Sequence, residues 1–232
     1  MSVFQARGIV LRESESGEAD KKLTVFAKTY GKIFVTARGA RKIKSKILSA
    51  AQLFTYADFV IYDGGKFRTL SQADVIERFY NLRQDYDRFV LAQYLVRLVD
   101  RTLPYDTPAD ELLHLLVISI SALAKGIRDP LIVVRAFEIK FFQLNGLSPR
   151  MDYCAECDKP IESEAWFGKE GTVCNLCKKF PAVRIDSNVI AAIKYVLEAD
   201  LGDIFKFRLN PQTLSELTSA CKLFLEINFI KL

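Results

Sequence analysis

Short runs of β-branched and aromatic residues fill the first 80 positions, and many of them alternate with polar residues. A period of two predicts strands, and glycine-containing turns separate the runs. The five predicted strands span residues 4–13, 22–27, 32–37, 54–62 and 67–70. Five short strands with one longer connection after the third favour a small closed barrel of the OB type. An SH3-like barrel and a small sandwich are the alternatives.

Beyond Tyr80 the apolar residues recur about every 3.6 positions, which predicts helices. Thr107-Pro108 and Asn210-Pro211 indicate helix starts, and Asn145-Gly146 indicates a helix end. The predicted apolar stripes are Leu91/Leu95/Leu98, Leu112/Leu116/Ile120/Leu123, Val134/Phe137/Phe141/Leu144, Ile190/Ile193/Leu197 and Leu214/Leu217/Cys221/Phe224. Cys221 therefore belongs to an apolar face and is expected to be buried.

Two CxxC pairs interrupt this helical region, with sixteen residues between the pairs. The four cysteines are Cys154, Cys157, Cys174 and Cys177. Each pair can present two thiolates to one ion, and a hairpin of this length can return the second pair to complete a tetrahedral shell. Residues 165–173, within the stretch between the pairs, predict that hairpin, with its turn at the glycines.

Two disulfides or a redox-active CxxC are the competing interpretations of these cysteines. The residues after Met1 show no secretory signal, so we expect a reducing cytosol, where paired cysteines more often hold metal. Four thiolates fill a zinc shell, and the only histidine, His114, lies in a helical apolar run. We therefore expect a structural Zn²⁺ without a catalytic role, in a chain that has little room for histidine-dependent nucleophiles.

The expected architecture is α+β: an N-terminal five-stranded OB-type β-barrel, followed by an α-helical bundle with an inserted four-cysteine, zinc-ribbon-like element. The predicted domains are residues 1–80 and 81–232, with the zinc-binding insertion at 150–184. The helices on either side of the insertion should pack together. No apolar run approaches the ~20 residues of a membrane span, so we expect a soluble protein.

Positive charge is concentrated in the barrel half, although the whole chain carries only +5. Residues 21–57 contain nine Lys or Arg and no Asp or Glu. Five of these cations follow the third predicted strand within nine residues: Arg38, Arg41, Lys42, Lys44 and Lys46. Such a loop can neutralise phosphates, and neighbouring aromatic residues can stack on bases. The candidate stacking residues are Phe26, Tyr30, Phe34, Phe54 and Tyr56, although many of them must fill the barrel core. A solvated surface loop is the alternative.

A carboxylate cluster, Glu13, Glu15, Glu18 and Asp20, could hold divalent metal as a nuclease requires. Its serine- and glycine-containing sequence instead predicts a flexible, solvated connection. The chain has no Walker A or GxGxxG motif for ATP or dinucleotides, and we expect no enzymatic activity.

The sequence resembles the RecO recombination mediator family over its full length. The segments that carry the resemblance are residues 30–42 after an N-terminal barrel, Arg135-Ala-Phe-Glu-Ile-Lys140 leading to Gly146-Leu-Ser-Pro149, and the two CxxC pairs, in that order. It implies an OB domain, a helical domain and an inserted zinc-ribbon-like element. It also implies a bacterial cytoplasmic protein associated with the nucleoid.

Members of this family bind single- and double-stranded DNA and anneal complementary strands without ATP hydrolysis. With RecR they assist loading of RecA onto DNA coated by single-strand-binding protein, whose acidic tail contacts the helical domain. The resemblance assigns DNA binding to Arg38, Arg41, Lys42, Lys44 and Lys46, and to Lys22. The alternative functions are a metal-dependent DNA-processing enzyme using Glu15, Glu18 and Asp20, and a zinc-stabilised adaptor that binds only protein.

Overall fold

Five strands at the N-terminal end of the chain close into a barrel in the computed structural model, which describes residues 2–65, 67–161 and 163–229. The strands are β1 (Ser2–Ser16), β2 (Asp20–Ala27), β3 (Gly31–Ala37), β4 (Tyr56–Asp63) and β5 (Arg68–Glu77). They pair in the order β1-β2-β3-β5-β4, with β3 and β5 parallel and the other pairs antiparallel. The predicted α+β class with an N-terminal five-stranded OB-type barrel is confirmed.

Alternation along the strands builds the barrel core. In β2 and β3, Leu23, Val25, Ile33 and Val35 are at most 1% exposed and pack with Phe59 of β4. Each such side chain contributes about 1.5–3 kcal/mol when it leaves water. This period of two is the pattern that made the strands recognisable in the sequence.

The β1–β2 hairpin is longer than the sequence predicted. Paired residues extend to Ser16 and Asp20, so a three-residue turn, 17–19, replaces the flexible connection expected over 13–20. Gly17 has φ of +61°, a backbone conformation in which glycine is favoured. The predicted fifth strand is likewise too short, because β5 continues to Glu77.

A 3₁₀ helix (Tyr80–Gln84) leads into α1 (Tyr86–Thr102) and α2 (Asp110–Lys125). The predicted start of α2 at Thr107-Pro108 is wrong, since the helix begins at Asp110. The Asp110 carboxylate accepts a hydrogen bond at 2.7 Å from the Thr29 backbone N–H, at the β2–β3 turn. Gly31 makes that approach possible, because a Cβ atom there would lie 2.0 Å from the carbonyl oxygen of Thr107.

The chain forms two compact units that divide between Lys125 and Gly126, so that α1 and α2 belong with the barrel. In the second unit α3 (Pro130–Leu144) packs on α4 (Ser187–Glu198) and α5 (Pro211–Asn228). The rings of Phe142 and Phe224 lie 4.7 Å apart between α3 and α5. The helices before and after the cysteine segment therefore contact each other. The division into a DNA-binding domain at 1–80 and a helical domain at 81–232 stays a prediction.

Helix ends in the second unit follow the sequence signals. The Asn210 side chain accepts from the Thr213 N–H at 2.9 Å with Pro211 in the first turn. Helix α3 ends at Leu144 with Asn145 as its C-cap, followed by Gly146 at φ +75°. Three short strands, β6 (Ala165–Gly168), β7 (Gly171–Val173) and β8 (Val183–Ile185), form a sheet in the order β7-β6-β8. In the part of the chain that the structure describes, no helix has the length and apolar character to cross a membrane.

Candidate nucleic-acid interface and metal centre

The basic loop, residues 38–46, leaves the barrel at the end of β3. All five of its cations are exposed to solvent: Arg38, Arg41, Lys42, Lys44 and Lys46. Successive tight turns shape the loop, with hydrogen bonds from Lys42 N–H to Gly39 C=O at 3.1 Å and from Ser45 N–H to Lys42 C=O at 2.9 Å. Ala40 and Ile47 are buried and hold the ends of the projecting segment against the barrel.

The β1–β2 hairpin anchors the start of the basic loop. The backbone N–H of Gly39 donates to the Asp20 carboxylate at 2.7 Å, and the Arg41 N–H donates to the Ala19 carbonyl at 2.9 Å. The Arg41 guanidinium donates to the carbonyl oxygens of Gly17 and Glu18, both at 3.2 Å, and lies 3.1 Å from the Glu15 carboxylate. Arg41 therefore ties the loop to the hairpin and offers less of its charge to a ligand.

The side chains of the other four loop cations make no hydrogen bond or ion pair within the described residues. Lys22, the sixth predicted DNA contact, is likewise exposed and unpaired there, on the outer surface of β2. Unpaired, solvated ammonium and guanidinium groups can bind phosphate without first breaking a protein ion pair. Arg38, Lys42, Lys44 and Lys46 are thus the cations of the loop best placed for an anionic partner.

The outer surface of β2, β3 and the start of β5, together with the residue before β5, forms what we call the barrel face: Lys22, Phe34, Thr36, Phe67 and Thr69. Cross-strand register places Lys22 opposite Thr36, and Thr36 opposite Thr69. Phe34 and Phe67 each precede one of these threonines by two positions, and they are 44% and 67% exposed. In OB folds this strand 2–3 surface and the loop between strands 4 and 5 are the usual oligonucleotide-binding region.

The structure separates the five aromatic residues proposed for base stacking. Phe26 and Phe54 are at most 2% exposed and belong to the interior. Tyr30 stacks on Phe4 with ring centroids 4.2 Å apart, and Tyr56 is half-buried. Only Phe34 among the five is an exposed large hydrophobic side chain.

The sequence pattern misses Phe67 as a candidate, because it identifies this residue only as the first of a strand. Its position shortly after the Gly64-Gly65 turn was the available signal, since side chains at such strand-connecting turns are usually exposed.

The acidic residues of the nuclease hypothesis do not converge on an ion site. Glu13 pairs with Lys21 and accepts from the Leu53 N–H at 3.0 Å, while Asp20 and Glu15 bind the basic loop. Within residues 2–65, 67–161 and 163–229, the cysteine quartet is the one group of possible metal ligands that the structure brings together. Glu15 and Asp20 therefore have structural partners, and Glu18 is an exposed turn residue.

The two CxxC pairs meet as the sequence predicted. Their four Sγ atoms all lie within 4.8 Å of one another, and those of Cys157 and Cys174 are 3.9 Å apart. The hairpin of β6 and β7 returns the second pair, and the Ala155 N–H donates to the Thr172 carbonyl at 2.9 Å next to it. Gly171, at φ +121°, allows this approach, because a Cβ atom there would lie 2.2 Å from the Arg150 carbonyl oxygen.

This donor set fits a tetrahedral ion. A Zn–S bond of about 2.3 Å implies S···S separations of about 3.8 Å, close to the distance between Cys157 and Cys174. Burial acts to raise the pKa of Cys154, but backbone N–H groups of Cys174, Glu156 and Cys157 outweigh it and lower the pKa from 9.0 to about 6.

The sulfurs of Cys157 and Cys174 act in the opposite direction on Cys177 and raise its pKa to about 12. Four thiolates this close repel one another, and a divalent cation removes that conflict.

Comparison with known proteins gives a consistent result over the whole chain. The family model described as "Recombination protein O N terminal" matches residues 1–79, and the one described as "Recombination protein O C terminal" matches residues 83–228. A protein of Acetivibrio thermocellus named DNA repair protein RecO is 32% identical over 240 residues, which covers 100% of this chain and 96% of the relative.

Two further relatives carry the same name. The protein of Alkaliphilus metalliredigens is 32% identical and covers 97% of this chain and 94% of its own length. That of Pelotomaculum thermopropionicum is 33% identical and covers 90% of this chain and 83% of its own length. The similarity therefore spans both the barrel and the helical, cysteine-bearing part.

Proposed function

The chain belongs to the RecO family of DNA repair proteins, and on that premise we propose that it is a DNA-binding recombination mediator. It binds single- and double-stranded DNA and anneals complementary strands. With RecR, it assists the loading of RecA onto DNA coated by single-strand-binding protein, whose acidic C-terminal tail it contacts. The observation that carries the proposal is the anchored basic loop beside the aromatic barrel face, with four exposed cations that are unpaired among the described residues.

The mechanism is physical and forms no covalent bond. Two DNA strands repel each other through their phosphates, and each phosphate neutralised by Lys or Arg releases bound counterions. Arg38, Lys42, Lys44 and Lys46 would hold the backbone, while Phe34 and Phe67 would stack on bases. Bases held in this way cannot pair within their own DNA strand and are available to a complementary strand.

Zn²⁺ is the ion that the donor chemistry supports for Cys154, Cys157, Cys174 and Cys177. Bound there, it would act as a structural cross-link between the two CxxC pairs. Because all four positions of a tetrahedral shell are taken by protein sulfur, none remains for a water or a substrate. DNA binding is therefore assigned to the barrel. The proposed location of the protein is the bacterial cytoplasm, at the nucleoid.

A strand-annealing measurement tests this function directly. We expect the protein to accelerate annealing of two complementary oligonucleotides, both bare and coated with single-strand-binding protein. Changing Arg38, Lys42, Lys44 and Lys46 together to alanine should remove most of that acceleration. The matched control changes four exposed cations of the same unit whose side chains are also unpaired in the described part of the chain, Lys28, Arg78, Arg101 and Lys125, and should keep it.

Three results would count against the proposal. Equal loss in both quadruple variants would show that only total charge matters. Failure of the wild-type protein to bind any oligonucleotide at low salt would favour the protein-only adaptor. Magnesium-dependent cleavage of labelled DNA that is lost in Glu18→Ala would favour the DNA-processing enzyme.

A further inference from the structure

An isoleucine stands at the centre of the basic loop, and it is almost completely exposed. Ile43 is 95% exposed, whereas Ile47, four residues later, is 9% exposed and belongs to the barrel core. A single exposed apolar side chain is ordinary on a protein surface, so its surroundings must decide whether it has a role. Here the neighbouring residues on both sides, Lys42 and Lys44, are exposed cations.

The loop presents Ile43 at a defined position. The Ser45 N–H donates to the Lys42 carbonyl at 2.9 Å, which closes a turn with Ile43 at its first central position. The start of the loop is fastened by the Gly39–Asp20 hydrogen bond and by Arg41, and its end is held by buried Ile47. An anchored turn loses less conformational entropy on binding than a free loop does.

The two flanking lysines lie close enough together to bind neighbouring phosphates of one strand. Residues two positions apart have Cα atoms at most about 7 Å apart. Stacked bases rise about 3.4 Å per step along one strand, so a step opened by an inserted side chain spans about 7 Å. Because the lysine side chain is long and flexible, Lys42 and Lys44 can reach the phosphates on either side of one opened step, with Ile43 between them.

We propose that Ile43 is a wedge residue that inserts between adjacent bases of the DNA strand held by the basic loop. This inference rests on the proposed function, since it requires DNA on that loop. Proteins that hold DNA with cationic side chains use apolar wedges, isoleucine among them, to unstack a base step. Unstacking at Ile43 would present bases of the bound strand to a complementary strand.

The test uses the full-length protein and a single-stranded oligonucleotide that contains 2-aminopurine, whose fluorescence rises when the base unstacks. Anisotropy of a separate dye reports binding, so that fluorescence is compared at saturation. We expect the wild-type protein to raise the 2-aminopurine signal. Ile43→Ser should bind about five- to tenfold more weakly, in line with loss of one buried apolar contact, and lose more than half of the rise at saturation.

Two variants complete the design. Ile43→Leu keeps an apolar side chain and should keep the rise, and Ile127→Ser, at a residue that is 70% exposed outside the basic loop, should behave as wild type. Because Ile43 makes almost no packing contact, its replacement leaves folding intact. A saturated Ile43→Ser complex with the full wild-type rise, or a wild-type complex without any rise, would overturn the wedge while leaving DNA binding in place. Absence of wild-type binding would instead overturn the proposed function.

Discussion

The backbone N–H of Gly39 donates to the carboxylate of Asp20 at 2.7 Å, and this hydrogen bond joins the basic loop to the β1–β2 hairpin. An acidic residue that the sequence offered as a metal ligand thus positions the loop proposed to bind DNA. The basic loop contains no acidic residue of its own. Asp20 and Glu15 of the neighbouring hairpin supply the carboxylates that hold it in place.

Replacing Asp20 should therefore loosen the loop. Asp20→Ala removes a charged acceptor from a backbone N–H, a change that costs about 1–2 kcal/mol of unfolding free energy. Urea denaturation measures this loss. Glu18→Ala, at an exposed residue whose side chain has no partner among the described residues, is the matched control and should change stability little. Equal stabilities of the two variants would contradict the anchoring role.

The salt dependence of DNA binding should separate Arg41 from the other loop cations. Each phosphate contact to a single strand contributes about −0.7 to the slope of log K against log salt, so four free cations contribute about −2.8. The five-cation interpretation of the sequence predicts about −3.5. Changing Arg38, Lys42, Lys44 and Lys46 to alanine should therefore make the slope less negative by about 2.8.

Arg41→Ala should behave differently from Lys42→Ala. Because the Arg41 guanidinium already binds two carbonyl oxygens and Glu15, its loss should lower the unfolding free energy by about 1 kcal/mol and leave the slope nearly unchanged. Lys42→Ala should leave stability unchanged and flatten the slope. Titrations at several salt concentrations, together with denaturation curves, distinguish the two, and the reverse assignment would refute our interpretation of Arg41.

The exposed ring of Phe34 should contribute affinity without charge. Phe34→Ala is expected to weaken single-strand binding by about 1–3 kcal/mol, because a base loses its stacking partner, while the salt slope stays the same. Tyr86→Ala, at a residue of α1 that is 78% exposed, provides the control and should bind as wild type. Unchanged affinity in Phe34→Ala would exclude the ring from the interface.

Loss of one cysteine ligand should remove the metal and destabilise the second unit. Cys174→Ser is expected to purify with much less than one equivalent of zinc and to lose more than about 3 kcal/mol, since structural zinc contributes folding free energy outright. Cys221→Ala, at the buried cysteine of α5, should keep its zinc. Metal analysis of both variants decides the point, and a zinc-free but fully stable wild-type protein would refute the structural role.

Acid should weaken one link between β1 and β4. Hydrogen bonds from Arg7, at 2.8 Å to each carboxylate oxygen, lower the pKa of Asp58 below its ordinary 3.8. A lowered folded-state pKa stabilises the fold fully above the unfolded pKa, and that contribution is lost as the pH falls through the folded value. The melting temperature of Asp58→Asn should thus be lower than wild type at pH 7, and the difference should shrink below about pH 4. A difference that stays the same from pH 7 to about pH 2 would contradict this role of the Arg7–Asp58 pair.

Patterns local in sequence accounted for most of the elements. Leu23 and Val25 lie two positions apart because one side of β2 faces the barrel core. The Asn210-Pro211 cap lies next to the helix that it starts. The cysteine spacing likewise determined a four-sulfur site, because a CxxC turn and a returning hairpin are short-range geometry. These features depend on periodicity and turn residues, which are local properties of the sequence.

Relations between distant segments were decided only by the tertiary structure. The sequence contains the five loop cations, yet the hairpin 20 or more residues upstream is what occupies Arg41 and sets it apart from the other four. Alternation could not tell Phe34 from Phe26, since both lie in strands and only closure of the barrel, with the helices that cover part of it, exposes one and buries the other. The hydrogen-bond partners and the exposure of a side chain depend on which segments pack together in the fold. A local sequence pattern does not contain that information.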